Sequence, residues 1–173
     1  MMKLTRRSAL RAGFGAGIGA GGALMINTGS TMAKENPDPA TIPDFEKWQL
    51  TEAEWKERLS SEAYAVLRKE ATERPGSSTL NDEKRDGVYA CAGCGYDLFS
   101  SDTKFESGTG WPSFWDYLPG ALGIKRDFKL IIPRTEYHCA RCGGHQGHVF
   151  KDGPAPTRLR YCNNGVALSF KPA

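Results

Sequence analysis

Two short phrases constrain this chain more than anything else in it: "YACAGCGYD" and "YHCARCGGH" each set two cysteines three residues apart and place a glycine after the second. The pairs are Cys91 with Cys94 and Cys139 with Cys142. Such a knuckle aims both sulfurs and nearby backbone N–H groups at one ion, and two knuckles complete a tetrahedral four-thiolate zinc site with sulfurs at about 2.3 Å. With every position filled by protein the site is structural, expected once per chain, and supplies on the order of 10 kcal/mol toward folding. The 44 residues between the pairs exceed zinc-ribbon spacing, so the metal is expected to staple two ends of a β-sheet. Disulfides are the rival chemistry in an oxidising compartment, and a redox-active pair of thioredoxin type is another. Neither pair sits in a strand-to-helix context, which favours zinc.

The segments around these knuckles read as short strands punctuated by glycine turns. Residues 87–91, 97–101, 128–139, 147–150, 159–162 and 166–170 are rich in β-branched and aromatic side chains, and "AGCG", "SGTGWP", "LPGALG" and "RCGGHQG" separate them. Before them come signals for two short helices. Thr51 and Glu54 fit a capping box ahead of Trp55 and Leu59. Ser60 or Ser61 caps a second helix through "EAYAVLRKEAT", which "RPG" stops. The expected body is mostly antiparallel β with a helical pair in front.

The N-terminus predicts processing. Residues 1–33 open with Lys3, Arg6, Arg7 and Arg11 and continue as a Gly/Ala-rich run too short for a membrane span of about 20 apolar residues. "TRRSAL" carries the twin arginine read by the bacterial twin-arginine export route, and Thr31-Met32-Ala33 offers a cleavage site. Export places the mature protein in the periplasm or outside the cell, with no membrane span of its own. Residues 34–46 hold three prolines and read as an extended linker to a domain over 47–173. The whole chain has 23 Lys+Arg against 20 Asp+Glu, and residues 1–33 hold four of those bases and no acid, so the remainder stands at −1. That balance gives no footprint for nucleic acid.

A fifth cysteine, Cys162 in "LRYCNNGVALSF", stands apart. Strand alternation sets Arg160, Cys162 and Asn164 on one face, and a neighbouring guanidinium favours the nucleophilic thiolate, drawing its pKa toward neutrality. By itself Cys162 reads equally well as a core filler beside a hairpin turn. The three histidines, His138, His145 and His148, all fall around the second knuckle. His138 reads as structural. His145 and His148 suit proton delivery to or orientation of a cysteine nucleophile better than metal ligation, which would leave "CAGC" without an ion. In "FESGTGWPSFW" an indole on a glycine loop can wall a small apolar pocket.

"CAGC", "FSSDTKFESGTGWPSFW", "RTEYHCARCGGHQGHVF", "DGPAPT" and "RYC" with Asn164 after it resemble the type B methionine sulfoxide reductases, in order from about Phe45 to the C-terminus. The resemblance implies a mainly β fold of two antiparallel sheets forming a barrel-like, zinc-stapled domain with short N-terminal helices. It implies reduction of methionine-R-sulfoxide in oxidised proteins, with Cys162 as nucleophile passing through a sulfenic acid. His145 and His148 would protonate the sulfoxide oxygen, Asn164 and Arg160 would shape the anionic end, and Trp111 and Phe150 would hold the substrate. Relatives often carry a resolving cysteine where this chain has Thr109, so an external thioredoxin-like thiol is expected to reduce the sulfenic acid. Asn163 and Gly165 stand where an apolar residue and serine are commoner, and Arg158 replaces a common glycine. Gly165 is expected to loosen its turn. A monomer repairing envelope proteins is the expected whole. Its rivals are a zinc-ribbon module for nucleic acid or a protein partner, and a non-catalytic or chaperone-like zinc-binding β protein. The joint presence of Cys162, His145, His148 and Trp111 opposes the non-catalytic reading.

Overall fold

A computed structural model describes residues 36–128 and 133–173. The export signal expected over 1–33 lies outside the described residues. The stretch expected to run extended over 34–46 is partly wound where it is described: Pro39–Thr41 and Phe45–Trp48 form 3-10 turns, and Ile42 between them is buried. No helix among the described residues is long and apolar enough to cross a membrane.

Both helices form where their caps predict. Helix α1, Glu52–Arg58, opens on a complete capping box, with the Thr51 backbone N–H donating to Glu54 Oε2 at 2.7 Å. Helix α2, Ser61–Lys69, is capped by Ser60 and ends three residues short of the expected Thr72, because Glu70 turns left-handed at φ 56°. The pair buries Trp55, Tyr64, Val66 and Leu67 against the sheets, of order 2 kcal/mol for each large apolar side chain.

Among the described residues nine strands follow in two antiparallel sheets. The smaller holds β1 (Gly87–Cys91), β2 (Asp97–Ser100) and β9 (Leu168–Pro172) in the order β2-β1-β9. The larger holds β3 (Lys104–Phe105), β4 (Ser113–Phe114), β5 (Leu122–Asp127), β6 (Arg134–Cys139), β7 (His145–Phe150) and β8 (Arg160–Asn163) in the order β3-β4-β8-β7-β6-β5. Among the described residues β3 and β5 end this order without pairing to each other, so two open sheets stand where a barrel-like closure is expected. An aromatic layer fills the core: Phe99 stacks on Phe114 at 4.2 Å between ring centroids, and Tyr137 meets Tyr161 edge-on at 5.4 Å.

One strand was misplaced by pattern. The apolar run from Phe128 reads as the start of a strand reaching Cys139, and "LPGALG" reads as a turn. Instead Leu122–Asp127 is a strand paired in register with Arg134–Cys139, and Phe128, 67 % exposed, lies past its end. Alternation along "LGIKRD" is masked by Gly123, whose Cβ would sit 2.2 Å from His138 Nε2.

Candidate active site and metal centre

The metal centre arises where two hairpin turns meet. Cys91 ends β1 and Cys139 ends β6, and in each knuckle the glycine after the second cysteine, Gly95 or Gly143, takes a left-handed φ of 72° or 68°. Turn closure is the same in both: Gly95 N–H donates to the Cys91 carbonyl at 2.7 Å, and Gly143 N–H to the Cys139 carbonyl at 2.9 Å. The four ligand atoms all lie within 4.8 Å of one another. Across the knuckles Cys91 Sγ is 3.7 Å from Cys142 Sγ, and Cys94 Sγ is 3.6 Å from Cys139 Sγ. A disulfide needs about 2.05 Å, whereas a tetrahedron with metal–sulfur bonds near 2.3 Å has edges of about 3.8 Å. All four thiols are free and buried. The residues therefore fit a tetrahedral metal ion. One knuckle belongs to each sheet, so an ion here joins two sheets rather than two ends of one.

The second site is built across the larger sheet. Register sets Ser113, Cys162, His148, Glu136 and Lys125 in one row on β4, β8, β7, β6 and β5. Row-mates in adjacent strands project to the same face. Cys162 is thus flanked directly by Ser113 and His148. The strands approach closely there: a Cβ on Gly147 would stand 1.8 Å from the Cys162 carbonyl oxygen.

In a regular strand His145 and His148, three apart, would point to opposite faces. The β6–β7 ladder avoids this by skipping Gln146, so that Gly147 faces Tyr137 and His145 faces His138. The bulge brings both imidazoles together, with ring centroids 5.5 Å apart. Each has a carboxylate behind it. His148 Nε2 is 2.8 Å from Asp127 Oδ2, which also accepts from Arg134 at 2.7 Å. His145 Nδ1 lies 2.9 Å from Glu136 Oε1, a buried contact outside hydrogen-bond alignment. Asp127, taking Nε2–H, leaves Nδ1 of His148 as the basic nitrogen.

A cavity of about 130 Å³ opens between these strands. Trp111, Phe150, His148, Arg134, Cys162 and Asn164 line it, and its size suits a side-chain tip rather than a drug-sized ligand. Trp111 is braced by its indole N–H, which donates to the Glu73 carbonyl at 3.2 Å. Asn164 is held from both ends, its Nδ2 donating to the Gln146 carbonyl at 2.9 Å and its Oδ1 accepting from Glu73 N–H at 3.0 Å. Phe150 lies under the Arg160 guanidinium at 4.4 Å. Of the expected residues, His145 and Arg160 are absent from the cavity lining: His145 stands behind His148, and Arg160 lies over Phe150.

The electrostatics differ from the sequence expectation. Burial pushes the Cys162 thiol above its ordinary range, outweighing the Arg160 guanidinium and the Thr109 hydroxyl that favour the thiolate. Arg160 is shared with a carboxylate: Nε and Nη2 both donate to Asp152, each at 2.9 Å. Burial likewise lowers His148, more than Asp127 raises it. At Glu136 burial acts upward, but His145 and Lys125 hold the carboxyl below its usual range. Near neutral pH the resting Cys162–His148 pair is uncharged.

Sequence reasoning missed Asp127, Glu136 and Glu73. Asp127 and Glu136 are buried acids, at 6 % and 2 % exposure; only Glu136 falls inside a run that reads as a strand, and burial itself leaves no mark in the sequence. Two departures also acquire reasons. Arg158 adopts φ 61°, the left-handed geometry in which glycine is at home. At Gly165 a glycine is required by close approach, because a Cβ there would meet Ser78 Oγ at 2.0 Å.

The SelR domain model matches residues 59–172. Three similar proteins are each named peptide methionine sulfoxide reductase MsrB. That of Methanosarcina barkeri is 57 % identical over 71 % of this chain and 87 % of its own length. That of Methanosarcina mazei is 52 % identical over 72 % and 89 %. That of Bradyrhizobium diazoefficiens is 49 % identical over 79 % and 99 %.

Proposed function

The chain belongs to the SelR-domain family, and from that premise we propose that it reduces methionine-R-sulfoxide in oxidised proteins. The observation that carries the reading is the direct opposition of Cys162 and His148 at a small cavity walled by Trp111 and Phe150. The cavity admits the sulfoxide's methyl against apolar rings and turns its oxygen toward His148.

Chemistry starts from the uncharged pair. The Cys162 sulfur attacks the sulfoxide sulfur as its proton passes to Nδ1 of His148 and on to the sulfoxide oxygen. This attack joins the two sulfurs transiently. The S–O bond to methionine then breaks as its oxygen passes to Cys162, and the S–S bond breaks with its electron pair left on the methionine sulfur. A Cys162 sulfenic acid and methionine result, and two electrons have passed from the cysteine sulfur to the methionine sulfur. Partial burial of the thiol suppresses wasteful ionisation before substrate arrives, and desolvation by substrate strengthens the Asp127–His148 pair. Arg160 and Asn164 hold the strand and polar rim around the developing charge.

All five cysteines of the chain are now assigned. The four that cluster fit zinc by their all-thiolate donor set, which supplies a fixed joint between sheets and takes no part in the reaction. Thr109 stands beside Cys162, so the sulfenic acid is cleared from outside. One thiol of an external thioredoxin-like donor condenses with it, releasing water, and the donor's second thiol displaces Cys162 as the free thiol. The twin-arginine signature supports export, and export makes oxidised envelope proteins the substrates; the acting unit in this reading is a monomer.

The test is to give purified protein each epimer of a methionine-sulfoxide peptide with dithiothreitol, beside Cys162→Ser. Turnover of the R epimer alone, lost in Cys162→Ser, is expected. Turnover of the S epimer alone, or full activity in the variant, overturns the reading.

A further inference from the structure

The bulge that unites the histidines turns Gln146 the other way, into the interior, where it and Asn163 are each 0 % exposed. Two buried amides side by side demand partners. Gln146 Nε2 donates to Cys91 Sγ at 3.4 Å, and its Oε1 accepts from Asn163 Nδ2 at 3.2 Å. Asn163 Nδ2 also donates to the Asn164 carbonyl at 2.8 Å, while Asn163 Oδ1 accepts from the Tyr137 hydroxyl at 2.8 Å. The line thus runs from a cysteine of the metal centre to the residue directly after Cys162.

Its polarity has one solution. A sulfur bound to a metal cation is a thiolate with no proton to give, so Gln146 must offer it an N–H. Oε1 then faces Asn163, which must answer with Nδ2 and turn Oδ1 to the tyrosine hydroxyl. Reversing either amide sets two acceptors face to face in the interior, at the cost of an unmade buried hydrogen bond. The same two residues fix the reactive strand's end: Asn164 N–H and Nδ2 both donate to the Gln146 carbonyl at 2.9 Å, and Asn163 N–H donates to the Pro112 carbonyl at 2.9 Å.

We propose that Gln146 and Asn163 are positioning residues, a two-amide strut through which the Cys91 corner of the metal centre sets the placement of Cys162 and Asn164. The sheet-joining metal then holds the reactive strand as well as the fold. Shape alone would be served by apolar side chains at both positions; the alternating donors and acceptors add a defined link between the two sites.

The inference rests on Cys162 being the reacting thiol, and its test separates the two. Zinc-loaded protein is compared with Gln146→Met, Asn163→Leu, the double variant and Tyr137→Phe. The readouts are the rate at which a chromogenic chelator withdraws zinc, the rate of Cys162 alkylation by iodoacetamide, and peptide turnover. Asn163→Leu touches no cysteine of the cluster, yet is expected to release zinc about tenfold faster, as loss of an outer hydrogen-bond partner does. Gln146→Met does the same, and the double variant is no worse than the worse single, since the line is already cut. Turnover falls in kcat with KM within about twofold, and Cys162 alkylation changes in step with zinc release. Tyr137→Phe, which removes one hydroxyl and keeps the ring, moves every readout the same way by less. Should Asn163→Leu fail to fold, Tyr137→Phe decides the matter. Wild-type zinc release in Asn163→Leu or Tyr137→Phe, or single effects that multiply in the double variant, overturns the strut. Undiminished turnover in Cys162→Ser would instead overturn the role of Cys162 and leave the zinc-release comparison standing.

Discussion

The molecule uses one element, sulfur, in two places that share almost nothing. At the metal end four thiols are at most 5 % exposed, lie within 4.8 Å of one another and sit on glycine-closed turns. At the cavity end one half-buried thiol sits mid-strand, with an imidazole opposite and a guanidinium two residues away. Identity of the side chain decides neither role. Convergence of several sulfurs makes a ligand set, and isolation beside a proton carrier makes a reagent.

The comparison breaks first at the metal end. Cys139→Ser removes one of four ligands, and a structural zinc worth on the order of 10 kcal/mol matches the whole stability of a domain this size. The variant is expected to lose zinc and its cooperative melt, read by elemental analysis and circular dichroism. Cys162→Ser should do the reverse: turnover falls by about a thousandfold or more, with zinc content and melting temperature unchanged. If either variant produces the other's outcome, the separation of roles is wrong.

Smaller changes sharpen the cavity end. Asp127→Asn removes the negative charge from the group that orients His148 and should lower kcat about a hundredfold with little effect on zinc. Its pH profile carries a sign. Burial already holds His148 below its ordinary value, so kcat/KM stays level down through about pH 6.5 and falls only on the acid side as imidazolium forms. Asp127 opposes that depression, so Asp127→Asn moves the acid limb to still lower pH; a shift to higher pH would refute the assignment. Asp152→Asn acts on the thiol itself. Asp152 raises the Cys162 pKa directly and occupies the Arg160 guanidinium, so the midpoint of the alkylation rate against pH should move down. Arg158→Gly, which relieves a left-handed residue at φ 61°, should stabilise by about 0.5–1 kcal/mol in urea melts. A rise in KM there would show that the Arg158 side chain also meets substrate.

How far the sequence reaches differs between the same two regions. The metal end is legible because its signal is local: spacing and glycines within six residues define each knuckle. The capping box of α1 is legible for the same reason. At the cavity end Cys162, His148 and Trp111 are visible as residue types, yet their partners are not. Asp127 reaches His148 only through the pairing of β5, β6 and β7, and β5 itself was hidden by glycine and charge. The bulge at Gln146, which decides that His145 and His148 share a face, is one unpaired residue with no sequence mark. Likewise the thiol's pKa follows from burial and from Asp152 holding Arg160, which a strand diagram cannot weigh against the charge two residues away.

The most direct measurement treats zinc-loaded protein with one equivalent of R-sulfoxide peptide without reductant, then reads every cysteine by mass spectrometry after dimedone trapping. We expect a single adduct on Cys162, no disulfide, and zinc retained by the other four. An adduct elsewhere, a disulfide joining Cys162 to a knuckle cysteine, or zinc lost in that one turnover would contradict the division between scaffold sulfurs and reactive sulfur.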